Sequence, residues 1–299
     1  MTDRVVVAHL SPGEWSACFG ASLIDLLFYD AAHNQRIVSH KYGHIHKEAG
    51  ADNLYAARNK CCQVLLDESS ADWLFFVDSD MGFAPDTVDA LIRSAHPTDR
   101  PVVGGLAFAL KSDGAGPMFA RRYRAQPTIY QMADTGDEVG FMPMFDYPAD
   151  TVLEVDATGA ACLLIHRSVL QAVRDKCGDT WFDHVPKPKG EGKFGEDLSF
   201  CIRLKSCGIP MHVDTGVTTT HDKGGVFLDE DTYRLQQAMR ELADVCVDRG
   251  DPPACHRTAV RVGVPQARRD RRRHQRNKGV GSRALPRPFH LRAPRITAR

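Results

Sequence analysis

Residues 73–81 read Trp-Leu-Phe-Phe-Val-Asp-Ser-Asp-Met, and this stretch decides the fold class of the chain. Five consecutive apolar residues predict a strand that is covered on both faces, as in a parallel sheet flanked by helices. In open sheets of this kind, ligands bind beyond the carboxyl ends of the strands. The carboxylates of Asp78 and Asp80 therefore emerge where a binding site is expected.

Strand and helix patterns alternate outward from this stretch. Apolar runs predict strands at residues 5–9, 36–42, 101–106, 158–165 and 209–213. Amphipathic spacing predicts helices at residues 22–29, 54–65, 85–95, 168–173, 196–206 and 231–248. Consecutive β-α units predict an α/β fold with a Rossmann-like, mostly parallel central sheet and helices on both faces. Residues 111–150 show no clear period, and we interpret them as a long irregular excursion that serves as a lid.

Charge divides the chain of 299 residues into an acidic body and a basic tail. Residues 261–299 contain 13 Lys and Arg against the single Asp270, so residues 1–260 carry 25 basic against 37 acidic residues. We expect a folded domain over residues 1–250 and a disordered tail over residues 251–299, where apolar periodicity is almost absent. The tail is interpreted either as an arm for nucleic-acid phosphates or an anionic membrane, or as read-through or frame-shifted coding.

Composition excludes several classes of protein. Hydrophobic residues make up 43% of the chain, which excludes globally disordered and collagen-like classes. The longest apolar stretches fall far short of the ~20 residues that a membrane-spanning helix needs. Nine cysteines without a CxxC pair predict free thiols in a reducing compartment rather than a disulfide framework.

Asp78, Ser79 and Asp80 are the strongest candidates for a ligand site. Two carboxylates on one turn can share Mg²⁺ or Mn²⁺ with a diphosphate, although Asp and Ser also favour ordinary turns. At about 100° per residue, Arg58 lies on the apolar face of its predicted helix. An inward guanidinium needs anionic partners, which either an aspartate or a nucleotide phosphate would supply.

Further candidates lie in the second half of the chain. Glu196 and Asp197 open a helix, where acidic residues complement the helix dipole; the same dipole would keep Asp197 ionised as a proton acceptor. His221 follows a polar strand and is a candidate third metal ligand. The small residues Gly105, Gly159 and Ala160 lie at strand ends, where a ligand can approach the backbone closely, although simple packing explains them as easily. His44 and His46 alternate as metal ligands can, without an evident third ligand.

The order of these motifs resembles glycosyltransferases of the GT-A fold, particularly family-2-like enzymes of bacteria and tailed phages. The resemblance covers roughly residues 4–225 and is carried by the following stretches: Ser11-Pro12-Gly13, Ala57-Arg58-Asn59, Asp78-Ser79-Asp80-Met81, Val103-Gly104-Gly105, residues 155–160, Gly195-Glu196-Asp197, and Val213-Asp214 leading to His221. The chain departs from the family at its start, where residues 10–14 replace the usual Pro-x-Tyr-Asn turn.

The resemblance implies a UDP- or GDP-sugar donor bound by the N-terminal half, with these candidate donor-binding residues: Ser11, Pro12, Glu14, Arg58, Asp78 and Ser79. It further implies Mn²⁺ or Mg²⁺ held by Asp78, Asp80 and His221, and Asp197 as general base, with Glu196 as the alternative. On the same resemblance, Gly105, Gly159 and Ala160 are the candidates for the sugar or acceptor pocket. In the inverting members the base acts on the acceptor hydroxyl; retention stays open for this chain. Modified DNA, a virion protein or a glycan is the expected acceptor, and we expect a cytoplasmic protein, in the bacterial host if phage-encoded.

Two other functions stay open at this point. A nucleotidyltransferase acting on sugar phosphates also uses a carboxylate-held metal, but it usually carries a Gly-rich loop with Lys or Arg near its start. A non-catalytic nucleic-acid-binding protein would use the basic tail, and it would leave the ordered acidic motifs without a role.

Overall fold

The computed structural model describes residues 3–39, 45–49, 53–113 and 122–248. Its first half contains β1 (Val5–Ser11), α1 (Ala17–Ala32), β2 (Ile45–Ala49), α2 (Leu54–Glu68), β3 (Trp73–Val77), β4 (Met81–Phe83), α3 (Thr87–Ser94), β5 (Val102–Leu106) and β6 (Phe108–Asp113). The remaining elements are β7 (Arg122–Pro127), β8 (Ile129–Asp134), β9 (Val139–Pro143), β10 (Val152–Val155), β11 (Ala157–Thr158), β12 (Cys162–His166), α4 (Arg167–Cys177), α5 (Glu196–Ser206), β13 (Met211–Asp222), β14 (Phe227–Leu228) and α6 (Glu230–Asp248).

The central sheet has the strand order β10-β13-β5-β12-β3-β1-β2, with β4 and β14 paired to β13. β1 is parallel to β2 and β3, and β5 is parallel to β13. β12 lies antiparallel between β3 and β5, so those two strands share one direction. Five strands of the main path therefore end at the same edge, as a mostly parallel sheet requires.

Helices cover both faces of this sheet because its strands are apolar on both sides. In β1, Val6 and Ala8 face a core that includes Leu65 of α2 and residues of α4 and α5. Their neighbours Val5 and Val7 face a second core that includes Phe19 of α1 and residues of α3. Full burial of a valine, leucine or phenylalanine side chain contributes about 1.5–3 kcal/mol to the stability of the fold. The predicted layers, with helices on both faces of the sheet, are confirmed.

One predicted strand is displaced. A strand was expected at residues 36–42, of which 40–42 lie outside the described residues; Ile37 forms only an isolated bridge with Val5, and β2 begins at Ile45. The Asp30 carboxylate accepts hydrogen bonds from the backbone amides of Arg36 and Ile37, at 2.7 and 3.1 Å. These bonds hold the chain in a turn after α1, so the amides are unavailable for a longer ladder.

The expectation of an irregular excursion at residues 111–150 is wrong in its central part. β6 pairs with β7, and β8 pairs with β9, each in antiparallel register. The strands of the second hairpin are only partly covered, so their sequences lack a clean apolar alternation. Part of the predicted lid, residues 114–121, lies outside the described residues.

Other sequence expectations concern the tail, the membrane and the cysteines. Residues 249–299 lie outside the described residues, so both interpretations of the basic tail stay predictions. Within the described part of the chain, no helix is both long and apolar enough to cross a membrane. Four buried cysteines are free thiols: Cys61, Cys62, Cys162 and Cys201. Burial raises the pKa of Cys162 and of Cys201 to about 12.

Candidate active site

A cleft of about 580 Å³, which we call the carboxylate cleft, lies where β1 and β3 end and α5 begins. Its volume falls within the roughly 300–1,000 Å³ of small-molecule sites. All six residues that the sequence named as donor-binding line it: Ser11, Pro12, Glu14, Arg58, Asp78 and Ser79. Asp80, Glu196 and Asp197 line it as well. Residues from five separate elements and loops therefore converge on one site.

Arg58 of α2 is a buried cation between two carboxylates. Its Nη2 lies 3.2 Å from Asp78 Oδ1, and its Nε lies 3.4 Å from Asp197 Oδ1. The residue is only 2% exposed, and its guanidinium carbon lies 5.5 Å from the ring centre of Phe76. Burial opposes the charge, but the two carboxylates outweigh it and raise the pKa of Arg58. The sequence prediction of an inward guanidinium with aspartate partners matches this geometry.

The same burial acts on the carboxylates themselves. It raises the pKa of Asp78 and of Asp197, against the lowering influence of Arg58. Glu196 adds negative charge beside Asp197 and raises its pKa further. The sequence argument expected the helix N-terminus to favour ionisation of Asp197, whereas its surroundings act in the opposite direction. A raised pKa makes Asp197 a stronger proton acceptor once it is ionised.

We expect Arg58→Lys to lower the free energy of unfolding by about 1.5–3 kcal/mol, measured by urea denaturation. The lysine keeps the charge but loses the planar fork that reaches both carboxylates. Arg93→Lys is the matched control, because Arg93 is exposed and lies 3.7 Å from Asp86; a change within about 0.5 kcal/mol is expected there. Equal losses in both variants would show that the bridge between Asp78 and Asp197 adds no stability.

Asp80 lies opposite this bridge and has two donors of its own. Its Oδ2 lies 3.1 Å from His221 Nε2 and 2.7 Å from Lys223 Nζ. Burial opposes ionisation, but the hydrogen bonds from His221 and Lys223 outweigh it and lower the pKa of Asp80 to about 2. β13 positions both partners, because its end pairs with β4, which directly follows Asp80. The carboxylate is therefore ionised throughout the neutral pH range.

His221 is oriented as metal-binding histidines usually are. Its Nδ1 donates a hydrogen bond to the backbone carbonyl of Phe108 at 2.8 Å, which directs Nε2 towards the Asp80 carboxylate. Nε2 donates a hydrogen bond to Asp80 Oδ2 at 3.1 Å, and a bound cation would take the place of that hydrogen. Within the described ranges, no cluster of three or more His, Cys, Asp or Glu side chains is arranged to hold an ion by itself. The donor chemistry fits an ion whose remaining ligands come from a substrate phosphate.

Three small residues were named as a sugar or acceptor pocket. A Cβ on Gly159 would lie 3.6 Å from Asp197 Oδ2, so the backbone there closely approaches the candidate base. The carbonyl of Ala160 accepts a hydrogen bond from Arg58 Nη1 at 3.4 Å. Gly105 belongs to the sheet interior, where a Cβ would come within 2.9 Å of Cys162 Sγ. Close packing between strands therefore accounts for Gly105.

The lining residues that the sequence argument missed include Trp15 and Lys223. Trp15 follows the β1 turn and is 57% exposed. Lys223 follows His221 by two residues, in a turn that contains two glycines with positive φ. A tryptophan in a polar turn and a Lys-Gly-Gly sequence were the available signals. Of the histidine pair named as a metal site, His44 lies outside the described residues and His46 Nε2 lies 2.9 Å from Glu48 Oε1, so this site stays a prediction.

No protein family and no curated protein matches this sequence. Among solved structures, the chain is similar to A197 from STIV, with 15% identity over 77% of this chain and 91% of that chain, at a TM-score of 0.46. It is also similar to GalNAc-T7 in a crystal structure with UDP, GalNAc and Mn²⁺, with 11% identity and a TM-score of 0.49. That match covers 74% of this chain and 44% of the other, less than half of its length. The predicted α/β fold with a mostly parallel central sheet is confirmed by the strand order described above, and function is argued below from the site alone.

Proposed function

We propose that this protein is a metal-dependent glycosyltransferase that moves a sugar from a UDP- or GDP-sugar to an acceptor hydroxyl. One observation carries the proposal: Asp80 and Asp197 line the same cleft, and Arg58 bridges Asp78 to Asp197. One end of the cleft can hold the diphosphate with a cation, and the other offers the partly buried carboxylate of Asp197 as base. An inverting sugar transfer from a nucleotide uses both groups.

The residues of the cleft divide the reaction between them. Asp78, Asp80 and His221 would hold Mn²⁺ or Mg²⁺, which neutralises charge that develops on the leaving diphosphate. Asp197 takes the proton of the acceptor hydroxyl as that oxygen bonds to the anomeric carbon. The bond from this carbon to the diphosphate oxygen breaks, and its electron pair leaves with the nucleoside diphosphate. Attack opposite the leaving group inverts the anomeric configuration.

The Asp197 carboxylate also argues against a nucleotidyltransferase. In that reaction the nucleophile is a phosphate oxygen, which is already ionised at neutral pH and needs no base. The Asp197 Oδ1 atom makes no hydrogen bond, although Arg58 Nε is 3.4 Å away. Asp197 Oδ1 is therefore available to accept a proton, and its negative charge would repel the phosphate nucleophile of a nucleotidyltransferase. The turn after β1 also contains Glu14 and no Lys or Arg between residues 11 and 16.

The test is a screen of UDP- and GDP-sugars for hydrolysis by the full chain in the presence of Mn²⁺. We expect release of a nucleoside diphosphate that stops when EDTA is added and resumes with excess Mn²⁺. Nucleoside triphosphates with a sugar 1-phosphate form the second arm of the screen. Pyrophosphate release in that arm, without diphosphate release in the first, would assign the protein to the nucleotidyltransferases instead.

Trp15 is expected to stack on the nucleobase of the donor, because it is exposed and lines the cleft beside Ser11 and Pro12. We expect Trp15→Ala to weaken nucleoside diphosphate binding about tenfold, since stacking on an aromatic ring contributes about 1–3 kcal/mol. Isothermal titration calorimetry measures the affinity of each variant, and because Trp73 and Trp181 are buried, fluorescence quenching in the unchanged chain should report the contact with Trp15. Phe28→Ala, at an exposed aromatic residue of α1, is the control. Unchanged affinity in Trp15→Ala would remove the residue from the site.

A further inference from the structure

A second cleft, of about 460 Å³, borders the same first turn of α5 as the carboxylate cleft. Gly195 and Leu198 line this second cleft, whereas Glu196 and Asp197 line the carboxylate cleft. Its other walls come from the β6–β7 and β8–β9 hairpins and from the segment before α5. The two clefts are therefore neighbours, with the candidate base at their common border.

The second cleft is cationic, and we call it the lysine cleft. Among the described residues of its lining, Lys111, Lys187 and Lys193 accompany a single acid, Glu138. Glu138 is paired with Lys187, and neither Lys111 nor Lys193 forms an ion pair with a described residue. Within the described part of the chain, two ammonium groups of the lining therefore have no acidic partner, although residues 1–260 carry 25 basic against 37 acidic residues. A cation-lined cleft in an acidic body attracts small anions and holds them locally.

Apolar side chains complete the lining. Tyr130, Phe141 and Met142 all border the lysine cleft, and the last is largely exposed. Burial and the charge of Asp197 raise the pKa of the Tyr130 phenol. Aromatic rings with a few polar groups are the usual lining of a small-molecule site. An aromatic face suits the apolar face of a sugar ring, and the ammonium groups suit an attached anion.

We propose that the lysine cleft is the acceptor subsite and that it selects a sugar carrying an anionic group, bound by Lys111 and Lys193. The inference rests on the proposed function, because it places the hydroxyl of this sugar beside Asp197. A phosphate and a carboxylate share the chemistry that these lysines recognise. The anionic group is the handle rather than the nucleophile: the hydroxyl oxygen forms the new bond, and its proton passes to Asp197.

The experiment measures binding of three probes to the full chain by isothermal titration calorimetry: glucose 6-phosphate, glucuronate and glucose. We expect one or both anionic sugars to bind, more weakly at high salt, and glucose to bind at least tenfold more weakly. The double variant Lys111→Gln/Lys193→Gln should weaken the anionic sugar by at least about tenfold, since contacts to charged groups are the stronger ones. Lys60→Gln, on α2 and outside both linings, is the matched control.

The arms of this experiment separate the possible outcomes. Binding of glucose 6-phosphate alone assigns a phosphorylated acceptor, binding of glucuronate alone assigns a carboxylated one, and either supports the proposal. Equal binding of glucose, or no effect of the double variant, overturns it. If Lys223→Gln weakens binding of the anionic sugar and the double variant does not, the proposal is also overturned, because the anion would then lie in the carboxylate cleft. The hydrolysis screen needs no acceptor, so failure of the proposed function is seen separately.

Discussion

Asp80→Asn is expected to reduce nucleotide-sugar turnover by on the order of 10³-fold or more, with the fold intact. A carboxylate-held ion supplies several kcal/mol of stabilisation to the leaving diphosphate, and the neutral amide cannot hold it. The side chain lies at the end of a strand and is about a third exposed, so the core does not depend on its charge. Hydrolysis of the donor identified in the screen gives the rate, and circular dichroism checks the fold.

Asp86→Asn is the matched control for this variant, because Asp86 is an exposed carboxylate next to α3. Its turnover should equal that of the unchanged chain. Mn²⁺ binding, followed by electron paramagnetic resonance with UDP present, provides a readout besides activity and should be lost in Asp80→Asn alone. Full activity of the unchanged chain in EDTA would contradict the role given to Asp80, whatever the variant shows.

Asp197→Asn is expected to lower turnover by on the order of 10²–10⁴-fold, while nucleoside diphosphate affinity is retained. This is the usual range for loss of a general base. Burial and Glu196 raise the pKa of Asp197, and only the ionised form accepts a proton. The turnover of the unchanged chain should therefore rise with pH through this raised pKa, at a higher pH than for an ordinary aspartate. This acid limb should vanish from the residual rate of Asp197→Asn.

Two outcomes would change the role of Asp197. A large loss of nucleotide affinity in Asp197→Asn would assign the residue to donor binding through Arg58. A mild effect on turnover would move the role of base to Glu196, which also lines the cleft. Asp183→Asn is a suitable control, since its carboxylate accepts a hydrogen bond from Asn59, 2.6 Å away, and it does not line the cleft. Its turnover should stay near that of the unchanged chain.

The sequence predicted those parts of the site that local patterns determine. A run of five apolar residues placed Asp78 and Asp80 at a strand end, and helical periodicity turned Arg58 inward. Each inference needed no more than about a dozen neighbouring residues. The contact between Asp80 and Lys223 joins residues 143 positions apart, and no local pattern reveals it. The hairpins of residues 108–143 were missed for a related reason: their strands are stabilised by pairing with each other more than by burial of one apolar face.

The buried thiols allow the local opening of the elements around the carboxylate cleft to be measured one element at a time. Cys61 and Cys62 lie on α2 with Arg58, Cys201 lies on α5 with Asp197, and Cys162 lies on β12 beside β3. Alkylating reagents attack thiolates, so burial with a raised pKa protects all four until their own element opens. Mass spectrometry of alkylated peptides therefore measures the rate at which each of these elements opens in the unmutated chain. A ligand that spans the cleft should slow alkylation of the cysteines of α2 and α5 together.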